Sequence, residues 1–469
     1  MNATATTAAA AIPSDGSTGS GVPLRTRIFY AMGAIAYGIK DNGFSVFLLL
    51  YYNQIIGLDA GLVGLMLLLA LFLDALIDPA VGHLSDRTRS RWGRRHPWLY
   101  VSALPIFGCW LALWMPPEGS QTFQLLWLLV FATLVRMSLS LNEVPSIALA
   151  PEMTYDYHER TSILGLRYFF GWFGGLVILA AAYGIFQLAD PDFATAESFR
   201  AYAVTGALIM LVSVLISAIG THKRFAKPTD AAMHQPSLRD MVACLRFKPF
   251  LILLLAAFFA FANQGVTFAL SNYLLAYVWK FGWQEQVIYA CSLFVGVVVA
   301  LVLARRLGER YGKRGAAVRL SIATTIVAVT PYILHITGLF PTSGTTTAMM
   351  TYLPIVTLST ATGIAVMISA ASMMADVTTA HQQISGKQQE GVFFAGHFFM
   401  QKCVTGIGIF VSGQILVLIG FPAQANPATI DPAVVTRLAM AYVAVTIILG
   451  AATAWALSRY PLETRATHP

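Results

Sequence analysis

Apolar residues run along this chain in blocks of about 20, separated by short polar stretches, from near residue 28 to near residue 458. Each block is long enough to cross a hydrocarbon core of about 30 Å as a helix. The blocks are continuous rather than alternating, so they predict helices and not the strands of a closed barrel. We place helices at 28–56, 60–84, 97–116, 123–150, 162–188 and 201–220, then at 249–279, 285–306, 316–339, 349–375, 390–420 and 432–458. The expected fold is an all-α membrane protein of twelve transmembrane helices in two six-helix halves.

The longest polar interruption, residues 221–248, divides six helices from six. Residues 28–220 and 249–458 are then the two bundles, 221–248 a cytoplasmic central loop, and 1–27 and 459–469 cytoplasmic tails. Halves of this kind are a common transporter plan, with the solute site between them near the bilayer midplane.

Composition agrees with the pattern. Of the 469 residues 57% are hydrophobic and 11% charged, and the mean hydropathy is +0.66. That charge content is less than half the roughly 25% of a soluble domain. The formal charge of +8 raises nucleic acid as a partner, but the basic residues sit in short loops between apolar blocks. With the N-terminus in the cytoplasm, 23 of the 30 Lys and Arg lie in cytoplasmic segments and only Arg200, Lys280 and Arg437 lie outside. That asymmetry predicts cytoplasmic termini in an inner or plasma membrane. The first 24 residues lack the apolar core of a cleaved signal peptide. Cys109, Cys244, Cys291 and Cys403 are isolated, so neither a disulfide framework nor a metal cluster is expected. No phosphate-binding loop appears. His381 and His397 are isolated as well.

Lys40, Arg136, Arg167 and Lys402 remain, inside predicted helices. An ionisable side chain at the centre of a membrane helix costs roughly 2.5–3.5 kcal/mol even on lenient scales, which makes each a candidate for function. Helix 2 carries Asp74 and Asp78 at i and i+4, on one face and about 5–6 Å apart at Cβ. In low dielectric they cannot both ionise cheaply: one holds a proton, or a cation sits between them. A purely structural role would need two buried bases nearby. Helix 1 carries Tyr37, Lys40, Asp41 and Ser45. Helix 4 carries Arg136, Ser140 and Glu143 as one polar stripe, in which Arg136 reads best as a pairing partner. Pro145 and Pro151 are expected to break the backbone ladder beyond it. Gly171, Gly174 and Gly175, and Gly406 and Gly408, read as close helix-packing positions.

The loop after helix 2 runs Gly82, Asp86, Arg87, Arg91 to Arg95, and a second loop after helix 8 carries Gly308, Glu309 and Arg310. Both are glycine-spaced and basic with one acid, at matching places in the two halves. The first resembles the signature loop of the major facilitator superfamily, and as conformational switches the acids can pair with arginines until solute shifts the balance.

A closer resemblance rests on Lys40–Asp41, the Asp74-x-x-x-Asp78–Pro79 turn, Arg89 to Gly93, Glu143–Val144–Pro145 and Gly386 to Gly391. Over residues 28–455 the chain resembles the glycoside–pentoside–hexuronide:cation symporters. The resemblance implies a cation site at Asp74, Asp78 and Ser140, for a proton or a sodium ion. It implies solute binding by Lys40, Asp41, Glu143, Arg167 and Lys402. Ile77 stands between the two aspartates where the family's best-known member has an asparagine ligand, which leans toward a proton. Leu48, Leu139 and Ile147 stand where that member has aromatic residues lining the sugar. The expected function is therefore cation-coupled symport of a sugar or glycoside-like solute by alternating access. A carrier of an amphipathic solute such as a lysolipid is the alternative, and a non-transporting sensor is less favoured because no sizeable soluble domain is in view. No enzyme activity, no cofactor beyond the coupling ion, no nucleic acid and a monomer in the bilayer are expected.

Overall fold

The computed structural model describes residues 21–154, 156–189, 195–222, 247–385 and 390–462. Most of the tails, most of the central loop and residues 386–389 of the Gly386–Gly391 motif lie outside the described residues. Among the described residues the regular structure is helical throughout. The first segment, α1, spans residues 24–55 and is helical in pieces, with π-turns at Gly43–Phe47 and Tyr51–Ile55. There follow α2 (Ala60–Arg87), α3 (His96–Trp114), α4 (Gln121–Met153), α5 (Tyr157–Ala189), α6 (Ala196–Thr221) and α7 (Lys248–Val278).

A helical run Trp283–Ile336 comes next, 54 residues long. At 1.5 Å per residue it would measure about 80 Å, far beyond one membrane crossing. Gly312, at φ 71° and ψ 169°, breaks it into two arms, α8 (residues 283–311) and α9 (residues 313–336). The last segments are α10 (Thr346–Ser385), α11 (Glu390–Leu418) and α12 (Pro432–Ser458). Among the described residues ten helical runs are long and apolar enough to cross a membrane, the α8–α9 run counted once and the interrupted α1 not counted.

The helix starts follow local chemistry. Asp59, Ser120 and Asp431 each accept a hydrogen bond from a backbone N–H of the first turn, at 2.9, 3.3 and 2.9 Å. Thr195 and Ser198 form a reciprocal capping box at α6. One local expectation fails. α4 runs through Pro145 and Pro151 to Met153 instead of breaking at either proline. In lipid a proline costs one backbone bond, while ending the helix would leave several groups without partners, so the helix continues.

Small residues set the closest approaches. At Gly38 of α1 a Cβ would collide with the backbone of Gly171 and Gly175 of α5. At Gly408 of α11 it would lie 2.8 Å from Gly265 Cα on α7. The glycines expected to bring helices together therefore do so.

A repeat lies at one end of the molecule. The π-turn closing α1 is followed by Ile56 N–H to Tyr51 O (3.1 Å) and Leu58 N–H to Tyr52 O (2.9 Å). The π-turn Leu274–Val278 closing α7 is followed by Trp279 N–H to Leu274 O (3.0 Å) and Phe281 N–H to Leu275 O (2.9 Å). The two turns meet: Tyr273 Oη donates to Asn53 Oδ1 (2.9 Å) and Tyr277 Oη to Gln54 Oε1 (3.0 Å). Asn272 Nδ2 donates to the Val46 carbonyl (3.1 Å) and Tyr183 Oη to Asn272 Oδ1 (2.8 Å). This end is closed by buried, uncharged hydrogen bonds between residues before 222 and residues after 247.

Candidate cation and solute site

α2, α4 and α11 bring the charged side chains together. Ser140 Oγ lies 3.1 Å from Asp74 Oδ1 and 2.5 Å from Asp78 Oδ1, so one hydroxyl bridges the two carboxylates. Arg136 Nη1 donates to Asp74 Oδ2 at 3.0 Å, and its guanidinium lies 4.6 Å over the Phe44 ring. Lys402 Nζ donates to Asp78 Oδ2 at 2.6 Å and stands 3.8 Å from Asp74 Oδ2. The i, i+4 spacing of Arg136 and Ser140 on α4 thus matches that of Asp74 and Asp78 on α2.

The cluster holds two acids and two bases, so it is neutral with all four ionised. The two bases that a purely structural cluster would need are both present. The halves of the cluster differ in access, however. Asp74 is 3%, Arg136 6% and Ser140 2% exposed, whereas the side chains of Asp78 and Lys402 keep 25% and 21%. Asp74–Arg136 is a sealed pair. Asp78–Lys402 is half-open, and it joins α2 to α11, 324 residues apart in the chain. Lys402, expected on the solute side, pairs here with Asp78 and lies near Asp74. Arg136, expected only as a pairing partner, is the direct partner of Asp74; its place on the polar stripe was the available signal.

The remaining solute-side residues are more dispersed. Lys40 is buried, 3.9 Å from Asp41 Oδ1 and 4.1 Å from the centre of the Tyr37 ring. The Asp41 side chain is 48% exposed. Glu143 is half-buried, has no described ion pair, and lies in electrostatic range of Lys40 and Lys402. Arg167 is buried and turns to α4 and α1: Nη1 donates to Ser146 Oγ (2.8 Å), the guanidinium lies 5.5 Å from the Tyr30 ring, and Tyr30 Oη donates to the Ser146 carbonyl (3.0 Å). The described contacts of Arg167 are those of a brace between α1, α4 and α5. Of the three aliphatic positions, Leu48 and Leu139 are buried and Ile147 is exposed.

The switch positions divide as well. Gly82 and Asp86 lie on the last turns of α2, which extends to Arg87. Asp86 pairs with Arg95 Nη2 (2.5 Å), while Arg87 and Arg91 are exposed. Arg95 also donates to Ser85 Oγ (2.8 Å) and, with Arg94, to Glu152 of α4 (3.1 Å each). In the second half Gly308, Glu309 and Arg310 are helical. Glu309 pairs with Arg305 one turn back on an exposed face (2.9 Å), and Arg310 lies over Tyr311. The packed pair there is Lys313 with Asp376 of α10, at 2.6 and 2.8 Å, beside Arg314, which donates to the Ser458 carbonyl. The break at Gly312 turns Lys313 toward α10 and leaves Glu309 facing outward. The ion pair that ties this segment to another helix is therefore Lys313–Asp376 and not one made by Glu309.

Comparison with known proteins agrees with these features. The model of the MFS/sugar transport protein family matches residues 29–464. The chain belongs to that family. An inner membrane symporter of Escherichia coli, YicJ, is 26% identical over 87% of this chain and 86% of its own length. The putative glycoside/cation symporter YagG of the same organism is 24% identical over 94% and 92%. A sodium-dependent lysophosphatidylcholine symporter of Danio rerio is 22% identical over 84% and 78%. Among solved structures, the inward-open xylose transporter XylE of E. coli superposes with a TM-score of 0.63 at 13% identity, covering 94% of this chain and 97% of XylE. The fold is that of the major facilitator superfamily. This family member is an integral, multi-pass membrane transporter and not an enzyme.

Proposed function

We propose that this family member is a proton-coupled symporter of a sugar or glycoside-like solute, with the coupling ion taken at Asp78. The observation that carries the reading is the Lys402–Asp78 pair. It joins the two halves beside a hydroxyl that touches both aspartates. A proton arriving on Asp78 removes the charge that holds Lys402, and the ammonium is then free to turn toward Glu143 and a bound solute. Ion and solute each favour the same rearrangement, which is what reciprocal coupling requires. A single Ser140 proton can be donated to only one aspartate at a time, so a protonated Asp78 donating to Ser140, which donates to Asp74, satisfies all three oxygens. Sodium would find Asp74 Oδ1, Asp78 Oδ1 and Ser140 Oγ, and no oxygen from Ile77.

The reading places the division at 28–220 and 249–458, both termini in the cytoplasm and a monomer in the bilayer. The closed end around Asn53 and Tyr273 is then the external gate, and the ion pairs of Asp86 and Lys313 lie at the cytoplasmic end. A second reading, an amphipathic solute, is favoured by the aliphatic residues at Leu48, Leu139 and Ile147 and by the likeness to the lysophosphatidylcholine symporter.

The test is uptake into proteoliposomes of labelled glycosides, uronides and lysolipids under an imposed proton or sodium gradient. Concentrative glycoside uptake driven by protons, lost in D78N while exchange of solute across the membrane persists, is the expected result. Concentrative uptake by D78N overturns the coupling assignment. Lysolipid uptake alone selects the second reading.

A further inference from the structure

A cavity of about 290 Å³ lies inside the second half, away from the charged cluster. It is walled by α7, α8, α9, α10 and α12, with Trp172 and Leu176 of α5 closing one side. Its lining contains no Asp, Glu, Lys, Arg or His. Aromatic rings face it, among them Trp172, Phe261, Phe268 and Tyr289. Many of its hydroxyls already have partners on their own helices. Thr324 donates to the Leu320 carbonyl (2.8 Å), Thr325 to Ser321 (3.0 Å), Thr453 to Leu449 (2.8 Å) and Ser271 to Phe268 (2.7 Å). Those residues contribute methyl and methylene groups to the wall. Asn263 Oδ1, like Thr446 Oγ1, is different: it is buried and has no hydrogen-bond partner among the described residues.

A dry cavity of about 150 Å³ is enough to take a benzene ring, so this one has room for a substituted ring. Such a space is costly to leave without contacts on one side. Trp172 stands five residues after Arg167 on α5, about 7.5 Å further along the helix axis. The helix that carries Arg167 thus also sets one aromatic ring against the cavity.

We propose that this cavity is a subsite for the uncharged, ring-bearing aglycone of a glycoside, with Asn263 Oδ1 accepting a hydrogen bond from a hydroxyl on that ring. The proposal rests on the sugar reading above for its ligand and on the cavity alone for its place. It moves the aromatic surface that the first half lacks at Leu48, Leu139 and Ile147 to the second half. The sugar stays with the charged groups and the aglycone enters the neutral wall.

The test uses the purified full chain in nanodiscs and calorimetric binding of methyl, phenyl and 4-hydroxyphenyl β-glucosides, β-galactosides and β-xylosides. The phenyl compounds are expected to bind roughly 10-fold or more tighter than the methyl ones, since a whole ring is withdrawn from water. A Cβ at Gly363 of α10 meets only Thr324 Cγ2, at 3.6 Å, so G363F fills the cavity from a position with room. G363F should erase the phenyl preference and leave methyl glycoside binding unchanged. N263L should erase the advantage of 4-hydroxyphenyl over phenyl. A phenyl preference that survives G363F overturns the proposal. If G363F loses methyl binding too, N263L decides: an unchanged hydroxyphenyl advantage overturns the proposal. If no glycoside binds, the sugar reading falls and free phenol decides the subsite. Phenol binding weakened by N263L keeps it; no phenol binding overturns it.

Discussion

Asp74 and Asp78 share a helix face and a hydroxyl, yet their surroundings ask different things of them. Asp74 is sealed with Arg136, and breaking a buried pair on one side costs about 3–5 kcal/mol because the other charge is stranded. R136L should therefore lower the thermal stability of the purified protein strongly. R136L combined with D74L should recover most of that loss, because both charges leave together. A melting curve of the double variant that is no better than the single one contradicts the pairing. Asp78 has solvent access and a movable partner, so its variants should touch function more than folding. S140A removes a hydrogen bond to charged groups worth about 1.5–3 kcal/mol. It should shift the pH midpoint of solute uptake while leaving expression unchanged; an unshifted uptake–pH profile would remove Ser140 from the ion site. The spacing of the acids made this pair visible in the sequence, since i and i+4 always share a face. The identity of the partners was less visible. Sequence places Lys402 on a helix but does not say which neighbour that helix turns it toward, and the same holds for Arg167, whose described partners are Ser146 and Tyr30.

Helices were legible because the membrane demands their length, and their ends were less so. α4 passes through a proline because lipid makes a continued helix cheaper than an open one. The α8–α9 run depends on one residue, Gly312, whose backbone conformation an L side chain rarely adopts. That break decides that Lys313, and not Glu309, reaches Asp376. K313A should thus impair the cycle as D376A does, and E309A should behave as wild type in uptake assays; an equal defect in E309A would restore the first assignment. At the same end, the segment before α1 is tied to α5. Glu159 Oε1 accepts from Val22 N–H and from Arg27 Nη2, each at 2.6 Å, and Thr154 Oγ1 donates to Oε2 at 2.5 Å. The Thr154 hydroxyl, helped by Val22 and Arg27 against a smaller effect of burial, holds the Glu159 carboxyl below its ordinary 4.5. A depressed carboxylate stabilises its contacts above the ordinary value and loses them as pH falls through the folded one. Hydrogen-exchange protection over residues 22–27 should be high at neutral pH, be lost as pH falls below the ordinary carboxylate value, and be low at all pH in E159Q. Slow exchange in E159Q at pH 7 would separate the segment from Glu159.

Across the whole molecule the two ends carry different chemistry, and that difference has a consequence for transport. The end around Asn53, Gln54, Tyr273 and Tyr277 is held by neutral phenol and amide groups that are buried. The other end carries ion pairs such as Arg95–Asp86 and Lys313–Asp376, each within one half. Salt screens charge pairs in proportion to their contact with solvent and leaves buried neutral bonds nearly untouched, so what effect ionic strength has falls on the end with the ion pairs. Removing the phenol hydroxyls acts on the other. Each is worth about 1 kcal/mol net, so Y273F with Y277F should shift the balance toward opening at this end by about 2 kcal/mol, roughly 30-fold. A solute that binds only the open form gains apparent affinity in proportion to the population of that form. The double variant should therefore show a lower KM for external solute and a lower maximal rate, since the return to the form described here becomes uphill. A cysteine at Ala276, in a background with the four native cysteines replaced by serine, should react faster with a membrane-impermeant maleimide in the double variant. Faster labelling without a change in KM would mean that opening at this end does not limit solute capture. Unchanged labelling would mean that the phenol–amide bonds do not hold the end shut, and that the packing of Tyr273 and Tyr277 against Phe421 does so instead.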